Sequence, residues 1–248
     1  MNGELEILEN SSALYQRAAE ELLIIAKNAI AKNGSFAVVL SGGSTPRGLY
    51  SLLAGEPRFR NEIPWQQAHF FWGDERHVPP GHPDGNFRMA CETMLDIVPV
   101  PRAHIHRIPS ELPDAEAAAT DYERTLRAFF RLSEGEWPRF PLVLLGLGPD
   151  GHTASLFPNT KALSERERLV AGNWVEKFNT WRITMTAPLL NNAENVLFLV
   201  SGSEKASALK DVLKDDSDPR QYPARLIRPI HGRLLWLVDK SAAAGLDN

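Results

Sequence analysis

Pro141-Leu-Val-Leu-Leu-Gly-Leu-Gly-Pro-Asp-Gly-His-Thr-Ala-Ser-Leu-Phe-Pro158 decides how this chain is read. Its apolar run, 142–145, shows no polar alternation, which is the pattern of a strand covered on both faces and hence of a parallel sheet. Glycines end the run, and the turn then presents one carboxylate and one imidazole, Asp150 and His152. In open parallel sheets ligands bind beyond the carboxyl ends of the strands. His152 therefore falls where a small-molecule substrate is expected, and imidazole is the side chain most easily made a base near neutral pH. A lone histidine at a strand end is more often structural. The nearby Asp150 shifts that balance, because a carboxylate can fix the ring's tautomer and raise its basicity.

Outward from this stretch, strand-like and helix-like segments alternate. The spacing of Leu14, Ala18, Leu22, Ile25 and Ala29 predicts a helix over 11–32, with Ser11 or Ser12 as its N-cap and Gly34 as its stop. Apolar runs predict strands at 36–40, 68–72, 142–145, 196–200 and 234–238, and 182–187 reads as a further strand. Residues 46–53, 86–96, 114–132 and 204–213 read as helices. The alternation predicts βαβ units and an α/β fold: an open, doubly wound, mostly parallel sheet with helices on both faces, Rossmann-like in layout. No repeat, low-complexity tract or long polar linker interrupts it. Residues 1–248 are expected to form one domain, with 241–248 as a loose tail.

Composition narrows the partners. A net charge of −4 without a basic block argues against nucleic acid. Nothing approaches the roughly 20 apolar residues that span a bilayer, so no membrane is expected. The N-terminus carries Glu4, Glu6 and Glu9 rather than a basic start and an apolar run. The single cysteine, Cys91, excludes an internal disulfide and suits a reducing compartment, so a cytoplasmic location is expected. Cys91 itself reads as a small buried hydrophobe.

Two further turns carry chemistry. Ser41-Gly-Gly-Ser-Thr-Pro46 follows the first buried strand. Its glycines allow close backbone approach to a ligand, Ser44 or Thr45 can cap a helix, and Pro46 suits the first helical position. The expected product is a helix N-terminus with free N–H groups, a natural phosphate site. An ordinary strand-to-helix turn would read the same way. An anionic ligand on an acidic chain needs local cations, and Arg76, Arg182 and Lys205 are the candidates. Arg182 opens its strand rather than closing it, which sets it apart from the other two.

Phe70-Phe-Trp-Gly-Asp-Glu-Arg-His-Val-Pro79 repeats the logic of an apolar strand, a glycine and a cluster of ionisable groups. Some of these groups are expected to pair with one another. A zinc site from Asp74, His77 and His82 matches no standard ligand spacing. Gly146-Leu-Gly-Pro-Asp-Gly151 formally matches the dinucleotide fingerprint. Pro149 removes an N–H from that cradle, Asp150 would face the pyrophosphate, and no strand-ending acid follows at the ribose position.

Together these residues resemble the 6-phosphogluconolactonase family of the pentose phosphate pathway. The matching pieces are Ser41-Gly-Gly-Ser-Thr-Pro46, Trp72-Gly-Asp-Glu-Arg76 with Val78-Pro79, Asn86 with Met89-Ala90, and the segment 146–158. Arg182-Ile-Thr and the Gly202/Lys205 turn continue the match along nearly the whole chain. The resemblance implies hydrolysis of 6-phospho-D-glucono-1,5-lactone to 6-phospho-D-gluconate. It implies His152, Asp150 and Arg76 as the catalytic groups. Gly42, Gly43, Ser44, Thr45, Asp74, Asn86, Arg182 and Lys205 would hold the substrate and its phosphate. Neither a metal nor a cofactor is expected, and the partner is a phosphorylated sugar lactone bound by a monomer or weak homodimer.

Glucosamine-6-phosphate deaminases share the scaffold but carry a glutamate where this chain has Phe157. Loss of that carboxylate argues against ring-opening chemistry. One departure from the lactonase pattern is Gly85 before Asn86, where a serine is usual; a helix cap or a ligand contact is expected to weaken. A sugar-phosphate sensor would need the phosphate turn but not the Asp150/His152 pair.

Overall fold

Leu142–Gly146 is the central strand of a seven-stranded sheet, as its unbroken apolar run predicts. The computed structural model describes residues 3–214 and 216–246. From the N-terminus, β1 (Glu4–Leu8) leads to α1 (Ser11–Asn33), β2 (Phe36–Leu40), α2 (Ser44–Gly55) and α3 (Pro57–Glu62). Next come β3 (Ala68–Trp72), β4 (Asp74–Arg76), α4 (Asn86–Ala90), β5 (Ile105–His106) and α5 (Ala115–Phe130). Strand β6 (Leu142–Gly146) precedes β7 (Val170–Val175), β8 (Thr180–Met185), α6 (Ala187–Asn191) and β9 (Asn195–Val200). Helix α7 (Ala206–Leu213), β10 (Arg233–Asp239) and α8 (Lys240–Ala243) complete the order.

The large sheet runs β1-β10-β9-β6-β2-β3-β5, and every pairing in it is parallel. All five residues of β2 are buried, so both faces are covered, because successive side chains point to opposite sides of a strand. From β2 the chain adds β3 and β5 on one side; from β6 it adds β9 and β10 on the other. The direction of winding reverses between β2 and β6. A crevice opens beyond the carboxyl ends of two strands wound in opposite directions, and this is where such sheets take ligands.

A small antiparallel sheet, β4-β8-β7, stands on that end of the large one. Gly73 links the two: its N–H donates to the Leu40 carbonyl (2.9 Å), and its own carbonyl accepts from the Met185 N–H (2.8 Å). The strand expected at 182–187 belongs to this second sheet and ends at Met185, after which Thr186 is the N-cap residue of α6.

Several local expectations are corrected. Asn10, not Ser11 or Ser12, caps α1, its side-chain oxygen accepting from the Ala13 N–H (3.0 Å). Helix α2 starts at Ser44 after Gly43, which at φ 102° supplies a turn that L side chains rarely adopt, so Ser44 and Thr45 lie in the first turn and cap nothing. Residues 240–243 are helical rather than loose. Asp239 caps them through the Ala242 N–H (2.8 Å), and Ala242 and Ala243 are buried. Residues 247 and 248 of the expected tail lie outside the described residues. Cys91 is buried as expected, in a wider π-type turn, Cys91–Leu95, that continues α4. Among the described residues no helix is long and apolar enough to cross a membrane.

Candidate active site

The three turns predicted to carry chemistry meet at the switch point. A cavity of about 180 Å³ is lined by Gly42, Gly43, Ser44 and Thr45 after β2, and by Asp74, Arg76 and Asn86. His152 after β6 and Lys205 after β9 close its other sides. Asp150 and Arg182 are not in its lining. Asp150 stands behind His152, and Arg182 lies on β8 in register with Arg76. Burial and the neighbouring Arg76 charge hold the Arg182 guanidinium below its usual range. A larger groove, about 910 Å³, opens on the far side of Asp150 and Phe157 and contains none of the cradle residues.

The cradle is fixed from below. The Tyr50 hydroxyl accepts from the Ser41 N–H (3.0 Å) and donates to the Ser41 carbonyl (2.9 Å). Burial pushes this phenol well above its usual range, so it remains a neutral bridge. Pro46 has no N–H, so the free donors of the first turn of α2 come from the residues before it.

The turn after β6 is built around the imidazole. The Gly148 N–H donates to the His152 carbonyl (2.8 Å), and the Thr153 hydroxyl donates to the Gly146 carbonyl (2.8 Å). A side chain at Gly148 has no room, since a Cβ there would lie 2.0 Å from His152 Nδ1. His152 Nδ1 is hydrogen-bonded to Asp150 Oδ1. The imidazole and the Lys177 ammonium hold the Asp150 carboxyl far below the ordinary carboxylate range against the opposing effect of burial. An ionised carboxylate only accepts, so Nδ1 is the donor in this bond. Phe157 stacks on the ring with centroids 4.0 Å apart and planes at 25°. That phenyl group covers the position of the glutamate expected in a deaminase.

Asp74 and Asn86 are locked to each other. Asn86 Nδ2 donates to the Asp74 carbonyl (2.9 Å), and Asp74 Oδ2 accepts from the Ser155 hydroxyl (2.6 Å). Ser155 is buried and committed to that bond, so it offers no nucleophile to the cavity. Lys205 is placed by a neighbouring brace, in which Asp239 accepts from the Ser201 hydroxyl (2.6 Å) and the Gly202 N–H (3.2 Å).

Glu75 has a role that sequence reasoning did not assign. Its buried carboxyl accepts from the Arg76 (2.8 Å), Asn86 (2.7 Å) and Phe87 (2.7 Å) N–H groups. It thereby caps α4 from another strand, which is the work expected of the serine replaced by Gly85. Burial pushes the acid up to about 7, against the three N–H bonds. His77 does not pair within its cluster; its Nε2 meets the Leu112 carbonyl at 2.7 Å. Lys177 is the other residue missed: its ammonium donates to Asp150 Oδ2 (2.9 Å) from the tip of the β7–β8 hairpin. Nothing in the sequence around Lys177 signals this contact. Among the described residues no group of three or more His, Cys, Asp or Glu side chains is placed to hold a metal ion.

A parallel α/β sheet whose switch point brings a glycine-turned helix N-terminus and a carboxylate-paired imidazole to one small cavity defines the class: a doubly wound scaffold of the kind that takes ligands at that point. The family model described as glucosamine-6-phosphate isomerases/6-phosphogluconolactonase matches residues 9–236, and the chain belongs to that family. A 6-phosphogluconolactonase of Synechocystis sp. is 45% identical over 99% of this chain and 99% of its own length. One of Nostoc sp. is 43% identical with the same coverage of both chains, 99%. The solved structure of 6-phosphogluconolactonase from Trypanosoma cruzi superposes with a TM-score of 0.86 at 29% identity, covering 99% of this chain and 97% of that one.

Proposed function

We propose that this protein hydrolyses 6-phospho-D-glucono-1,5-lactone to 6-phospho-D-gluconate in the oxidative pentose phosphate pathway, with water activated by His152. Its full-length relatives are 6-phosphogluconolactonases, and the chain stands with them as a lactone hydrolase. The observation that carries the mechanism is His152, hydrogen-bonded to Asp150 through Nδ1, lining the same small cavity as the α2 N-terminus and Lys205, which leaves Nε2 as the nitrogen proposed to act as base. The cradle of Gly42, Gly43, Ser44 and Thr45, with Lys205, takes the 6-phosphate and fixes the lactone carbonyl against the water. His152 takes a proton from that water as its oxygen attacks the carbonyl carbon. Arg76 faces the developing oxyanion, and Arg182, opposite it in register, adds positive charge at the rim. When the tetrahedral intermediate collapses, the ring C–O bond breaks and the imidazolium returns its proton to the leaving oxygen. Asp74 and Asn86 offer polar groups to the sugar hydroxyls.

A positioned base supplies about 10²–10⁴-fold, and one oxyanion donor about 10²–10³-fold. That is enough for an activated ester that already opens in water. Deaminase chemistry is disfavoured by the Phe157 ring lying flat on His152. We further propose a cytoplasmic monomer or weak homodimer. The test is lactone disappearance with freshly made 6-phosphogluconolactone, measured against the spontaneous rate, for the wild type and His152→Ala. Fast hydrolysis that collapses in the variant is expected. Equal rates in both proteins would remove His152 from the mechanism, and no acceleration by the wild type would remove the activity.

A further inference from the structure

A second arm reaches the base from outside the cavity. The β7–β8 hairpin turns over Glu176–Phe178, with Asn179 in a left-handed conformation (φ 47°). From that tip Lys177 reaches Asp150 Oδ2 (2.9 Å), while Oδ1 accepts from His152. Phe178 packs edge-on against Phe157, centroids 5.6 Å apart, and Phe157 in turn lies on the imidazole. The hairpin closes without these contacts, through its ladder from Val170↔Met185 to Val175↔Thr180 and the Asn179 N–H bond to the Glu176 carbonyl (3.0 Å). One turn therefore touches both the carboxylate and the ring that flank the base.

We propose that Lys177 is a positioning residue for the His152–Asp150 pair, fixing the carboxylate plane through its second oxygen and setting the charge that the imidazole feels. A carboxylate bound through one oxygen can swing about its Cβ–Cγ bond; one bound through both cannot do so without breaking a charge-assisted contact. The ammonium also competes for the negative charge that would otherwise stabilise an imidazolium. The other charges facing His152 are Asp74 and Arg76 from β4 and Lys205 after β9, with Arg182 of β8 lying 5.9 Å from the Phe178 ring. These stay in place when Lys177 alone is changed. The Lys177 side chain is 57% exposed, so solvent screens its charge and the effect is moderate.

The catalytic consequence rests on the reading of His152 as the base, but the titration does not. The His152 ring is followed by NMR in wild type, Lys177→Met and Lys177→Arg, with His152→Ala assigning the signal. Lys177→Met is expected to raise the midpoint by about half a pH unit, and Lys177→Arg to leave it within about 0.2 unit. The acid limb of kcat/KM should move upward with it. An unmoved midpoint in Lys177→Met overturns the proposal, even if activity falls, since a purely structural role would produce that pattern. A shifted midpoint with an unmoved acid limb supports the positioning role and refutes His152 as the base.

Discussion

Gly148→Ala tests the site through geometry, by crowding His152 without replacing any group proposed to react. The added methyl would lie 2.0 Å from Nδ1 and 2.1 Å from Cε1 of His152, where ordinary contact begins at 3.4 Å. The ring, the turn or both must give by about 1.4 Å to relieve this contact. Gly148 is not one of the positive-φ glycines, so alanine can adopt its backbone and the chain should still fold. Overpacking of this kind costs about 1–3 kcal/mol of stability. Displacement of a reacting group by about 1 Å costs about 10²-fold in rate, which sets the expected fall in kcat. KM should stay within about threefold, because the turn proposed to hold the phosphate follows another strand, β2, and opens α2. The assay is initial-rate lactone hydrolysis corrected for spontaneous opening, with thermal unfolding monitored in parallel. The double variant Gly148→Ala/His152→Ala should be no slower than His152→Ala alone, since both changes act through one group. A folded Gly148→Ala protein with kcat within about twofold of wild type would refute the placement of His152 at the reacting atoms.

Two other outcomes follow from the same structure. Lys205→Ala should raise KM by about 10- to 100-fold and leave kcat within about threefold, as loss of a charge-assisted bond to a group that does not react predicts; a fall in kcat at unchanged KM would move Lys205 into the chemistry. At the opposite end of β3, His69 stacks on His104 with centroids 3.8 Å apart, and its Nδ1 lies 3.1 Å from His106 Nε2. Burial first, then these two rings, push His69 down to about 4. An unfolded histidine protonates near 6.5, so between about pH 6.5 and 4 the unfolded state binds more protons and stability falls as pH falls. Glu75, whose acid is raised to about 7, shifts stability the other way over much of this range, so the decline is read as the difference between wild type and His69→Phe in melting temperature at pH 7.5, 6 and 5, with the variant gaining on wild type as pH falls.

The parts legible in sequence share one physical property: they are buried on both faces or placed directly after such a strand. β2, β6, β9 and β10 carry unbroken apolar runs and β3 one interrupted only by His69, and Gly42, Gly43, Asp74, Arg76 and His152 follow three of these strands closely enough to be read as site residues. The strands missed lack that signature. β1 is an edge strand with only partial burial, β4 is three charged residues, β5 has two residues, and β7 carries Gly172 and Asn173 in its interior. Their strand conformation is imposed by neighbours rather than by local preference.

The chain by itself determined the parallel α/β architecture, the glycine turns and the Asp150/His152 pair, because burial on two faces and tight turns leave periodic, local marks. Only the tertiary structure decided that Glu75 caps a helix begun eleven residues later, that Ser155 is spent on Asp74, and that Lys177 holds the second oxygen of Asp150. These are contacts between groups that local sequence does not connect, and a charged residue on a hairpin tip looks the same in sequence whether it faces water or the Asp150 carboxylate.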